Sequence, residues 1–151
     1  MPAKLPATLG EFRASGFDIL PIREEMRRNL MRKLADGEDL LPDIVGYEDS
    51  VIPHLENAIL AGQDIILLGE RGQGKTRIIR ALTGLLDEWT PILDDVDIPE
   101  NPLAPISAQA RALLAAQGDD APLRWLHRSE RYGEKLATPD ITIADLIGEV
   151  D

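Results

Sequence analysis

The sequence predicts an α/β fold in which helices cover parallel strands, preceded by a helical arm. Three observations lead there. The stretch "DIILLGERGQGKTRIIRAL", residues 64–82, passes from an apolar run through a glycine-rich loop into helical spacing. Its "DIILL" lacks polar alternation, as a strand covered on both faces would. Upstream, two segments carry apolar residues three and four apart, the period of amphipathic helices.

Composition narrows the function classes. The 151 residues carry 27 acidic and 16 basic side chains, for a net charge of -11. That balance argues against binding nucleic acid through the whole surface, which needs Lys and Arg against phosphates. Aromatics at 4% make stacking platforms for single strands a poor expectation. The absence of cysteine removes disulfides and thiolate metal sites. No apolar run reaches the length of a membrane span, and "MPAKLPATLGEF" lacks a signal-peptide core. The expectation is a soluble, cytoplasmic protein with no membrane partner.

Taken in order, residues 1–20 read as an arm punctuated by Pro and Gly. A helix begins at Pro21, with Ile22, Met26, Leu30 and Leu34 on one face and Gly37 as its stop. Residues 1–36 are thus an arm with an amphipathic helix, and 37–151 a second unit. Asp49 or Ser50 caps the next helix, Pro53 sits in its first turn, and Gly62 ends it. Val51, Leu55, Ala58 and Ile59 form its buried stripe. After the loop, Ile78, Leu82 and Leu85 share a helical face. A short strand is expected at Ile92–Leu93, then an acidic, proline-rich loop. Ser107 caps a helix through Ala116, with Gly118 beyond it, and a further helix is expected from Pro122 to about Leu136. The end, "TPDITIADLIGEVD", reads as a strand or turn.

Gly69, Gly74, Lys75 and Thr76 match G-x-x-x-x-G-K-[ST] without a gap. The chemistry requires these types. Glycines let successive backbone N–H groups turn inward around phosphates. The following helix offers its positive end to the same anion. Lys75 would bring an ammonium to the β and γ phosphates, and the Thr76 hydroxyl would be one ligand of Mg²⁺. The candidate cofactor-binding residues are therefore Gly69, Glu70, Arg71, Gly72, Gln73, Gly74, Lys75 and Thr76. The expected cofactors are ATP or ADP with Mg²⁺.

From Ile44 to Leu82, "IVGYEDS", a helix, "IILLGERGQGKT" and a second helix resemble the AAA+ ATPases. The resemblance implies a P-loop αβα sandwich with parallel strands, and adenine contact through Ile44, Val45, Gly46 and Tyr47. Tyr47 stands where many members have Gln. "NPLAPIS" and "TIADLIGEVD", with Thr142, Asp145, Gly148 and Asp151, are similar to segments of magnesium-chelatase ATPase subunits and the MoxR group. The spacing here is T-x-x-D-x-x-G-x-x-D, not T-x-D-x-x-x-G-x-x-D. The resemblance implies an N-terminal portion of such an ATPase, with an incomplete sheet and without Walker B, sensors or arginine finger. It further implies a homo-oligomeric ring, a partner subunit or client, and a chain that binds nucleotide without hydrolysing it alone.

Two other readings stay open. Asp95 and Asp97 form a D-x-D beyond the loop helix, similar to small P-loop kinases such as shikimate kinase. They would then hold Mg²⁺ for phosphotransfer. Alternatively, the loop binds nucleotide as a structural or regulatory ligand. Arg124, Arg128, Arg131 and Lys135 fall on one helical stripe, a basic face toward a neighbour or a solvated surface. His54 and Trp89 read as structural side chains.

Overall fold

The computed structural model describes residues 5–70, 72, 74–135 and 139–148, without the side chains of Leu146 and Ile147. Helices α1 (Leu9–Ala14), α2 (Ile22–Ala35), α3 (Val51–Leu60) and α4 (Lys75–Ala81) come first, and a 3-10 turn, Leu82–Leu85, extends α4. Strand β1 (Trp89–Leu93), helix α5 (Ala108–Gln117), strand β2 (Leu123–His127) and the short α6 (Ala144–Ile147) follow. The fold is mixed α/β. Among the described residues no helix is long and apolar enough to cross a membrane.

The described sheet is a two-stranded antiparallel ribbon, with Trp89 opposite His127 and Leu93 opposite Leu123. A parallel sandwich is not shown among the described residues. Residues 64–68 take no regular secondary structure and join no sheet. Ile65 and Leu67 pack on the helices, while Ile66 and Leu68 are 83% and 89% exposed. The expectation of a strand covered on both faces fails because a strand needs a neighbour for its N–H and C=O groups. The ribbon's two strands pair with each other instead.

The second correction concerns residues 122–136. Among its described residues the expected helix is absent; β2 occupies 123–127 and a 3-10 turn follows at Arg128–Arg131. Side chains alternate along β2, with Leu123 buried, Arg124 exposed and Trp125 packed on the core. The apolar spacing there fits either period, and pairing with β1 decides it. Pro91 is tolerated in β1 because the ribbon leaves one strand edge free of ladder bonds.

Two apolar cores result. The first gathers Leu30, Leu41, Ile44, Leu55, Ile59, Ile78 and Leu85 from α2, α3, α4, the 82–85 turn and the segment between α2 and α3. The second gathers Leu9, Phe12, Leu93, Ala110, Ala121 and Leu123. Residues 5–14 belong to this second core. Leu9 N–H donates to Ala121 O, Leu123 N–H to Ala7 O, and the Trp125 indole to Pro6 O. Gly10 lets α1 cross the 118–120 turn closely: a Cβ there would meet Asp119 Cβ at 3.0 Å and its carbonyl oxygen at 3.2 Å, and the turn would have to give by a few tenths of an ångström.

Helix α2 turns an unexpected face inward. Leu30 and Met26 reach the first core, but Ile22 and Leu34 are exposed, while Glu25 and Asn29 are buried. Glu25 accepts both guanidinium nitrogens of Arg131, at 2.7 and 2.6 Å, and the Asp87 N–H at 2.7 Å. Asn29 donates to Leu85 O and Asp87 Oδ1, and Arg28 grips both Asp87 oxygens. This polar cluster fastens α2 to the segment entering β1 and to the turn leaving β2. The Glu25 carboxylate raises the Arg131 pKa further above its ordinary value.

Candidate phosphate-binding loop

The loop hangs between two fixed points. Ile65 and Leu67 anchor the chain entering it, and buried Ile78 anchors α4 leaving it. Between them Gly72 and Gly74 take left-handed φ values of 84° and 70°. Only glycine adopts these at little cost. Gly74 is the N-cap of α4, and its carbonyl accepts the first helical bond from Ile78 N–H at 2.9 Å.

Lys75, the first residue of α4, folds back over the loop. Its ammonium donates to Gly69 O at 2.8 Å and Glu70 O at 2.6 Å. The cation is therefore held by two neutral carbonyls at the loop's mouth, partners that an anion's oxygens outbid as charge-assisted acceptors. Thr76 is exposed in the first helical turn. Gly69, Glu70, Gly72, Gly74, Lys75 and Thr76 lie together as expected from their contiguity; Arg71 and Gln73 lie outside the described residues, as does Asp151.

The segment 44–47 packs on the same core as the loop's anchors. Ile44 is buried and Tyr47 leans on that core, whereas Val45 is 84% exposed. Gly46, at φ 92°, donates its N–H to both Glu48 oxygens at 2.9 and 2.8 Å. That bond, foremost, lowers the Glu48 pKa. A hollow of about 340 Å³ opens beside Ile44 and Val45, against Glu48 and Ile52. Arg77 of α4 donates to Asp43 O at 2.8 Å and so ties the loop helix to this segment. Arg77 follows the G-x-x-x-x-G-K-T pattern by one position and was not singled out by it.

The other sequence candidates scatter. Asp94 faces Arg124 at 3.6 Å, its N–H bonds Pro122 O, and the Asp97 N–H bonds the Gln109 side chain. Val96, between Asp95 and Asp97, packs on the second core, and Asp95 takes a left-handed φ of 58°. Among the described residues no group of three His, Cys, Asp or Glu is arranged to hold a metal. The stripe Arg124, Arg128, Arg131 and Lys135 dissolves, because β2 and a 3-10 turn replace the helix that would align it. Its members meet Asp94, Gly84 O, Glu25 and Asp145 respectively. Thr142 and Asp145 bond reciprocally at the start of α6: the Thr142 N–H and hydroxyl donate to Asp145 Oδ2, and the Asp145 N–H returns to the Thr142 hydroxyl. This is local helix-end chemistry. His54 is exposed, and Trp89 stacks edge-on to His127 at 5.0 Å.

Missed altogether were Glu25 and Arg131 as partners. They stand 106 residues apart, and nothing local in either stretch signals the other. No family model, no curated protein and no solved structure matches this chain.

Proposed function

We propose that the chain binds ATP or ADP with Mg²⁺ through residues 69–76, as the nucleotide-gripping part of a chelatase-type AAA+ ATPase. One observation carries the reading: the ungapped G-x-x-x-x-G-K-T pattern with its Lys75 ammonium already at the loop's mouth. Phosphate oxygens would take the place of the Gly69 and Glu70 carbonyls on that ammonium. Left-handed Gly72 and Gly74 free the loop amides to converge on the anion. Thr76 would supply a hydroxyl to Mg²⁺ beside water and phosphate ligands.

The base would lie against Val45, Gly46 and Tyr47. The Arg77 bond to Asp43 O supports this, since it keeps that segment beside the loop helix. The assignment to the AAA+ superfamily, the homo-oligomeric ring and the client partner rest on the sequence resemblance. Holding phosphates in the ground state gives little acceleration by itself. Of the acidic candidates, Asp94 faces Arg124 at 3.6 Å, Asp95 and Asp97 flank a Val96 packed on the second core, and among the described residues no group of three His, Cys, Asp or Glu is arranged to hold a metal. Turnover by this chain alone is therefore expected near the uncatalysed rate.

Calorimetric titration with Mg-ADP tests the reading. Lys75→Ala should weaken binding by about 1.5–3 kcal/mol, about tenfold to a hundredfold. Equal affinity in both proteins sinks it. Phosphate release at about one per second or faster, abolished by the same substitution, would mark a complete enzyme and overturn the expectation of inactivity.

A further inference from the structure

We propose that the hollow between α2, the 82–85 turn and the β1–β2 ribbon binds a small aromatic anion, a carboxylate or phosphate carried on a flat apolar body. The hollow measures about 420 Å³, and Phe17, Arg32, Leu86, Trp89, Trp125 and Arg128 are among its walls. An adjoining hollow of about 490 Å³ shares Arg32, Gly84 and Arg128 with it, so both arginines line the two hollows where they adjoin. This site is separate from the 69–76 loop and does not rest on the reading of that loop.

Charge is the first argument. On a chain of net charge -11, Arg13, Arg23, Arg28, Arg80, Arg124 and Arg131 each pair with a carboxylate. Arg32 and Arg128, like Arg27, Arg77 and Arg111, form no ion pair among the described residues, and these two line one hollow. Arg128 reaches only as far as Gly84 O, at 3.4 Å. Two guanidinium forks without carboxylate partners along one hollow suit a planar anion, which each can grip through two N–H groups. Of the carboxylates on the wall, Asp87 is held by Arg28 and Asn29. Glu88 also lines the hollow and opposes an anion, which makes it a diagnostic position.

The aromatic wall is the second argument. Both of the chain's tryptophans and one of its two phenylalanines line this hollow. The wall is braced: Phe17 and Trp125 stack edge-on at 6.1 Å, Trp89 meets His127 at 5.0 Å, and the Trp125 indole is held by Pro6 O. A flat apolar body set against preformed rings gains contact without ordering them. Half-exposed Phe17 leaves the entrance open.

The test uses the whole chain labelled with ¹⁵N, whose two indole N–H signals report this hollow. Phenyl phosphate and 3-phenylpropionate should shift both signals saturably. Inorganic phosphate alone and 3-phenylpropanol should bind at least about tenfold more weakly, since each lacks one half of the recognition. Arg32→Gln and Arg128→Gln should each weaken the aromatic anions about tenfold, and Glu88→Gln should tighten them. Unchanged melting temperatures and indole dispersion establish that the variants are folded. Lys75→Ala should leave the indole response intact. The proposal is overturned by absence of shifts up to about 10 mM probe, by equal binding of 3-phenylpropanol, by equal affinity in folded arginine variants, or by loss of the response in Lys75→Ala, which would place the probe on the loop.

Discussion

The half of the molecule built on the ribbon and the half that carries the glycine loop handle short apolar segments in opposite ways. In the ribbon half, Trp89–Leu93 and Leu123–His127 satisfy each other's backbone groups, and residues 7–9 bond to Ala121 and Leu123 alongside them. In the loop half, residues 64–68 are as apolar as either strand yet pair with none. Ile66 and Leu68 stand in solvent while Ile65 and Leu67 hold the helices. Unpaired backbone beside exposed aliphatics is a surface that natural folds ordinarily cover or charge. The difference teaches that an apolar run specifies burial of one face, whereas pairing requires a second segment of matching length in reach.

The largest expected effect lies where the halves are fastened. The side chains of Glu25 and Arg131 are 4% and 11% exposed, and Arg131 donates two hydrogen bonds to Glu25. Arg131→Ala leaves Glu25 buried without its charge partner and should cost about 3–5 kcal/mol in urea unfolding. The exposed pair of Arg13 with Asp119 is a control: Arg13→Ala should cost less than about 1 kcal/mol. Similar losses in both would break the distinction between a fastening and a surface contact.

Next comes the contrast within the loop half. Ile78→Ala removes a side chain only 3% exposed and should destabilise by about 2–5 kcal/mol. Ile66→Ala, at a site 83% exposed, should stay within about 0.5 kcal/mol. A large loss at Ile66 would mean that the 64–68 segment is covered in solution. Lys75→Ala belongs to the same contrast. It should weaken nucleotide binding by about 1.5–3 kcal/mol and leave stability nearly unchanged, because Lys75 serves two carbonyls that water can serve instead.

The smallest effect concerns a second, exposed tether between the halves. Arg80 of α4 donates twice to Glu134, at 2.7 and 2.6 Å, and the Tyr132 hydroxyl joins at 2.8 Å. Arg80 foremost, then Tyr132, pull the Glu134 carboxyl down from 4.5 to about 2. A carboxyl whose folded pKa lies below its unfolded one contributes fully above the unfolded value. That contribution fades as pH falls from about 4.5 toward 2. The melting difference between the native chain and Arg80→Gln should therefore shrink across that window. Carboxyl NMR should place the Glu134 midpoint near 2, moving toward 4.5 in the variant. A native midpoint near 4.5 would remove the tether from the comparison.

Sequence alone determined the features whose causes are local. Ser107 caps α5 through its bond from Ala110 N–H, and Gly118 ends it. Gly37 and Gly62, both at positive φ, close α2 and α3, and Gly72 and Gly74 of the loop are left-handed. A cap or a turn acts within a few residues, so the order of side chains is enough to specify it. Tertiary structure alone decided the rest. Residues 123–127 became a strand because β1 lay ready to pair with them. Residues 5–14 became part of a core because Ala121 and Leu123 accept them. Glu25 turned inward because Arg131, 106 positions away, neutralises it. Ladder bonds and buried charges are bimolecular in character: each needs a partner whose arrival depends on the whole chain, and no short window of sequence contains both.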